Sequence, residues 1–101
     1  MTERDSSMHV VILKGQQRLH RQNNPDLYTL LGWLGNLDGK NITDLVIASP
    51  TVQLKMTAHD EEIDLSFTGE GAPHNHSITV TRDVATTMAL YFLKNESLPA
   101  E

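Results

Sequence analysis

Four carboxylates crowd one short stretch, Asp60, Glu61, Glu62 and Asp64, with His59 just before them. Two carboxyl groups facing each other across a cleft can divide general-acid and general-base work between them. Nothing in this spacing puts two of them on opposite walls. The stretch reads as a hairpin tip, for which a solvated charge run is the favoured reading. A second set is His74 and His76, flanking Asn75. In an extended segment residues i and i+2 project to the same side, so these imidazoles could share a metal ion. Spacing specifies no third ligand, and paired histidines beside a loop are ordinarily solvated. The chain has no Ser/His/Asp constellation, no GxSxG elbow, no phosphate-cradling glycine loop and no cysteine nucleophile. Gly69-Glu70-Gly71 is a lone flexible loop. The expectation is a non-enzyme that needs no cofactor.

The same acids suit another task. Asp60, Glu61, Glu62, Asp64 and Glu70, with Asp44, can form a docking surface for a basic partner, because opposite charge steers encounter. Trp33, the single tryptophan, is a further anchor candidate, since aromatics are enriched at binding hot spots. Its other reading, the favoured one, is a partly buried core aromatic.

Charge is unevenly placed along the chain. The net charge is −5. Residues 1–40 carry five cations against four carboxylates, and residues 41–101 carry three cations against nine carboxylates. An acidic second half disfavours nucleic-acid binding, which needs Lys and Arg at phosphates. There is no cysteine, so neither a disulfide nor a thiolate metal site can form. The apolar run Val10 to Leu13 is too short for a signal peptide or a membrane span. These features predict a soluble cytoplasmic protein that inserts in no membrane. A length of 101 residues predicts one domain with one modest core.

The elements that must position these residues follow from periodicity. Residues 1–7 are polar and are expected to be disordered. Met8 to Leu13 reads as a strand, at an edge or paired with the last one. Lys14 to Asn24 reads as a polar, cationic connector. Asn24-Pro25-Asp26 is a helix start, with Asn24 as cap and Pro25 in the first helical position. Leu27, Leu30, Leu31, Leu34 and Leu37 give that helix an apolar stripe, interrupted by Gly32 and Gly35. Asp38 to Asn41 is a turn. Thr43 to Ala48, Thr51 to Thr57 and Glu62 to Thr68 read as strands, the first of them central. His76 to Thr81 alternates as a half-buried strand, and Thr81 or Asp83 caps a closing helix. On it Val84, Met88, Tyr91 and Phe92 lie close to one face, and Ala85 and Ala89 let that face approach a sheet. The predicted order is β–α–β–β–β–β–α. The predicted fold is α+β, a mainly antiparallel sheet with two helices on one face. Val84, Met88 and Phe92 are expected to be buried with Leu27, Leu31 and Leu34.

Across residues 37–99 the chain resembles the small immunity proteins of bacterial polymorphic toxin and contact-dependent inhibition systems. The resemblance is carried by Leu37-Asp38-Gly39, by Thr43-Asp44-Leu45-Val46-Ile47, by Ile78-Thr79-Val80, by Ala89-Leu90-Tyr91-Phe92-Leu93, and by the closing Glu96-Ser97-Leu98-Pro99. The chain lacks the Gly-Gly pair common in that family's mid-sheet hairpins and a tryptophan after the final proline. The resemblance implies a stoichiometric inhibitor of a cognate toxin, often a nuclease or deaminase, and carries over no catalytic residue. Two other classes stand beside it. One is a phage-encoded acidic inhibitor or nucleic-acid mimic, such as an anti-CRISPR. The other is a small metal-dependent accessory protein using His74 and His76.

Overall fold

The structure, a computed structural model, describes residues 8–69 and 76–95. Residues 1–7, Glu70 and His74 lie outside the described residues, as do the expectations placed on them. The elements are β1 (His9–Lys14), β2 (Gln17–Asn23), α1 (Leu27–Gly35), β3 (Asp44–Ala48), β4 (Val52–His59), β5 (Glu62–Gly69), β6 (His76–Thr81) and α2 (Arg82–Asn95). The six strands form one sheet in the order β2-β1-β3-β4-β5-β6, antiparallel at every pairing. The fold is α+β with both helices packed on one face of the sheet, as the alternation of strand residues and the single apolar face of each helix predict.

The expected connector over Lys14 to Asn24 is corrected to a hairpin. Gly15-Gln16 turns β1 into β2, and Gly15 takes a positive φ of 66°, as the first central position of a two-residue hairpin loop favours. β2 escapes periodicity because it is an edge strand exposed along almost its whole length. It needs no apolar face and is held by its backbone ladder to β1. Arg18 and Arg21 on this edge discourage pairing with another chain. The first strand is therefore internal, between β2 and β3, and does not pair with the last.

The start of α1 also differs from expectation. Asp26, not Asn24, is the cap, and its Oδ1 accepts a hydrogen bond from the Thr29 backbone N–H at 2.8 Å. Asn24 adopts φ 52°, a left-handed conformation that Asn tolerates. Pro25 thus precedes the cap instead of opening the helix. At the other helix Thr81 is the cap, its hydroxyl accepting from the Val84 N–H at 3.3 Å.

Pairing register stacks the core row by row. Ile12 faces Leu45, Leu45 faces Met56, Met56 faces Leu65, and Leu65 faces Ile78. The neighbouring row runs Val10, Ile47, Leu54 and Phe67. Leu30 and Leu34 of α1, Leu37 just beyond it, and Ala85, Ala89 and Phe92 of α2 close over these rows. Phe92 meets Phe67 edge to face with ring centroids 5.8 Å apart.

Phe92 and Leu34 are buried as expected, and Met88 is partly buried. Val84, Leu27 and Leu31 are not, at 42%, 50% and 42% exposure. The reason is rotational. Successive helical residues differ by about 100°, so a face centred on Ala85 and Ala89 turns Val84 outward. The alanines seat the α2 backbone close to the sheet, and Phe92 fills the space that opens farther along.

Candidate functional site

Among the described residues no element covers the sheet face opposite the helices, and its acidic residues gather at one end. Asp44 opens β3, Thr57 faces it from β4, Asp64 faces Thr57 from β5, and Thr79 faces Asp64 from β6. This single row alternates carboxylate and hydroxyl. The Thr57 hydroxyl donates to Asp44 Oδ1 at 2.6 Å, and the Thr79 hydroxyl donates to Asp64 Oδ1 at 2.7 Å. Thr43 Oγ1 lies 2.9 Å from Asp44 Oδ2 and accepts from the Gly15 N–H at 2.7 Å, which ties the β1–β2 turn to the same cluster. Two strand spacings separate the carboxylates, about 10 Å, too far for them to share a proton.

The β4–β5 turn extends the patch. His59 faces Glu62 across it, and Asp60 sits at the tip with φ 60°. Glu62 lies two residues from Asp64 on the same strand face. His59 Nδ1 stands 3.9 Å from Asp64 Oδ2, both side chains well exposed. Among the described residues, the side chains of Asp60, Glu61 and Glu62 make no hydrogen bond or ion pair. Lys55 stands two residues before Thr57 on β4 and so on the same face, opposite Val46 and Ser66.

Two further acids, Asp38 and Asp83, lie toward this end of the sheet but on the side of the helices, not on the open face. The Asp38 turn comes to rest beside β4, since a Cβ at Gly39 would lie 3.8 Å from Ala58 Cβ. Asp38 Oδ1 accepts from the backbone N–H groups of Lys40 and Asn41 at 2.8 Å each, and these hold its carboxyl below the usual range. Asp83 follows Thr81, which pairs with Glu62. Neither neighbour is visible without the sheet register. The threonine hydroxyls that fix Asp44 and Asp64 were likewise overlooked; they sit on the polar side of each alternation.

Asp44, Glu62 and Asp64 therefore share one surface, with Asp60 and Glu61 at its tip. Trp33 does not join them. It lies in the helix layer, half-buried, its ring 5.4 Å from that of His20 and its Nε1 buried without a hydrogen-bond partner among the described residues. His76 belongs to β6, and no group of three His, Cys, Asp or Glu able to hold a metal ion occurs among the described residues.

The helix layer carries a different surface. An open groove of about 880 Å³ runs between the start of α1 and the end of α2, lined by Pro25, Leu27, Leu90, Tyr91 and Leu93 among others. Among the described residues, the large apolar side chains exposed to solvent are Leu27, Tyr28 and Leu31 of α1, Val84 and Tyr91 of α2, and Leu19 of β2. No helix among the described residues is long and apolar enough to cross a membrane. Comparison with protein-family models, with curated proteins and with solved structures finds no match to this chain.

Proposed function

We propose that the chain is a stoichiometric protein inhibitor of the immunity type, which meets a basic toxin domain with the acidic end of its open sheet face. The observation that carries this reading is the gathering of Asp44, Glu62 and Asp64 on one face with Asp60 and Glu61 at the adjoining tip. A nuclease or deaminase must attract phosphate and so presents a positive surface, to which such an end is complementary. The acids divide by role. Asp44 and Asp64 are held by threonine hydroxyls and offer fixed acceptors to an incoming Arg or Lys. Asp60, Glu61 and Glu62 are unengaged among the described residues, and as rim charges they speed encounter.

The test is co-expression with a candidate toxin domain encoded beside the gene, read as growth rescue and as a purified one-to-one complex. Replacing Asp60, Glu61 and Glu62 by Ser or Asn should lower the association rate and flatten its dependence on salt, with the dissociation rate little changed. Asp44→Asn should instead raise the dissociation rate. Unchanged rates at low salt for both variants would place the contact surface elsewhere and refute this reading.

A further inference from the structure

We propose that α2 is also a self-association surface, along which a second copy of the chain packs antiparallel about a two-fold axis. The outward stripe of α2 is Asp83, Val84, Thr87, Tyr91 and Lys94, every one of them exposed. Asp83 and Lys94 stand eleven residues apart, within about 20° of three full helical turns. They thus lie on one line, one at each end of the stripe. About 16 Å of helix separates them, so they cannot meet within one copy. Neither forms an ion pair among the described residues.

An antiparallel neighbour resolves both ends at once. With the axis passing between Met88 and Ala89, Asp83 of each copy comes level with Lys94 of the other. A closed two-fold contact requires such a self-complementary patch, in which residue i meets j and j meets i. The apolar residues obey the same symmetry. Val84 and Tyr91 lie on the same flank of the stripe, and the operation brings Val84 of one copy to within about one turn of Tyr91 of the other. Thr87 stands near the axis, small enough to let the helices approach. Val84 and Tyr91, which the rotation of α2 leaves 42% and 39% exposed, are then covered. Leu27, which lines the groove with Leu90 and Tyr91, continues the apolar surface beside it.

An aspartate in the first turn and a lysine in the last also suit the helix dipole. That accounts for their positions along the helix but not for the apolar stripe between them. The open sheet face lies on the other side of the domain, so this association is independent of the proposed toxin contact.

Sedimentation velocity on the full chain, from low micromolar to millimolar concentration, tests the proposal. A concentration-dependent dimer is expected. Asp83→Lys and Lys94→Asp should each weaken it by about tenfold, because both symmetry-related pairs become repulsive. Mixing the two single variants should give a tight heterodimer, since every pair is then again of opposite sign. Dipole effects within one helix predict no such recovery. Tyr91→Glu, at a site exposed enough to leave the fold intact by circular dichroism, should abolish the dimer. A monomer at all concentrations overturns the proposal. So does a dimer indifferent to the single reversals, or a mixture that fails to recover.

Discussion

Arg82 holds the end of one helix from the start of the other: its Nη1 donates to the Leu34 carbonyl oxygen at 3.1 Å. Its Nη2 donates to the Leu37 carbonyl oxygen in the same reach. The last carbonyls of a helix have no partner within it. A cation there also meets the negative end of the α1 dipole. The end of α1 is thereby fixed to the beginning of α2, and Leu37 is pinned in the core although it lies beyond the helix.

Removing this clamp should destabilise the domain. Arg82→Ala is expected to cost about 1.5–3 kcal/mol, the range for hydrogen bonds from a charged group. Arg82→Lys keeps the charge without the fork and should recover part of the loss. Urea unfolding checks both; a lysine variant equal to the parent would mean that charge alone acts here.

The seating of α2 predicts a sharp contrast along one helix. Phe92→Ala should cost about 3–5 kcal/mol, enough to unfold much of a domain whose total stability is of order 5–15 kcal/mol. Val84→Ala should change stability by no more than about 0.5 kcal/mol, since the side chain is largely exposed and alanine is the better helix former. Chemical denaturation of the pair distinguishes the observed helix face from one centred on Val84.

Acid should weaken the domain partly through Asp26 and Asp38. Backbone N–H groups, of Thr29 for Asp26 and of Asn41 and Lys40 for Asp38, hold both carboxyls below their usual value. A group with a lowered folded-state pKa contributes stability above its unfolded pKa of about 4 and loses it as pH falls through the folded value. The Asp26→Asn, Asp38→Asn double variant keeps an acceptor at each turn but cannot titrate. Its unfolding midpoint should fall less steeply below about pH 4 than that of the parent. Identical acid limbs would remove these two groups from the account.

Gly69 should tolerate no side chain. Its φ is 138°, and an added Cβ would run into the Thr51 carbonyl oxygen and lie 2.6 Å from Val52 Cα. Both obstacles are backbone and cannot swing aside. Gly69→Ala is expected to lose about 1–3 kcal/mol from the backbone conformation alone, more from the clash. Thermal unfolding measures it, and a neutral result would show that the β4–β5 edge can shift.

Much of this fold is legible where burial is one-sided. Val52, Leu54 and Met56 alternate with Thr51, Gln53 and Lys55, so β4 and its partners declare themselves. β2 stays hidden because an edge strand facing water has no apolar face to announce it. The rotation of α2 stays hidden because Ala85 and Ala89 are core residues by virtue of smallness, and a search for large apolar side chains lights on Val84 instead. The acidic residues of the site are plain in the composition, but their grouping is not. Asp44 and Asp64 lie twenty positions apart and share a row only through the register that β4 imposes on both.

The sheet joins two kinds of neighbour. From β3 to β6 each strand pairs with the next in sequence, so those contacts close over short loops at small entropic cost. β1 meets β3 only after the chain has passed through β2 and α1, with His9 opposite Ala48. Closing that longer span restricts the chain more and is slower. The meander should therefore assemble early, with the β1–β2 hairpin and α1 arriving later as a unit. The boundary between β1 and β3 becomes the line along which the native protein opens first. In native-state hydrogen exchange, amides bridging β1 and β3 should lose protection before those bridging β4 and β5. The same line is where two molecules refolded at high concentration would trade hairpins, each completing the other's sheet.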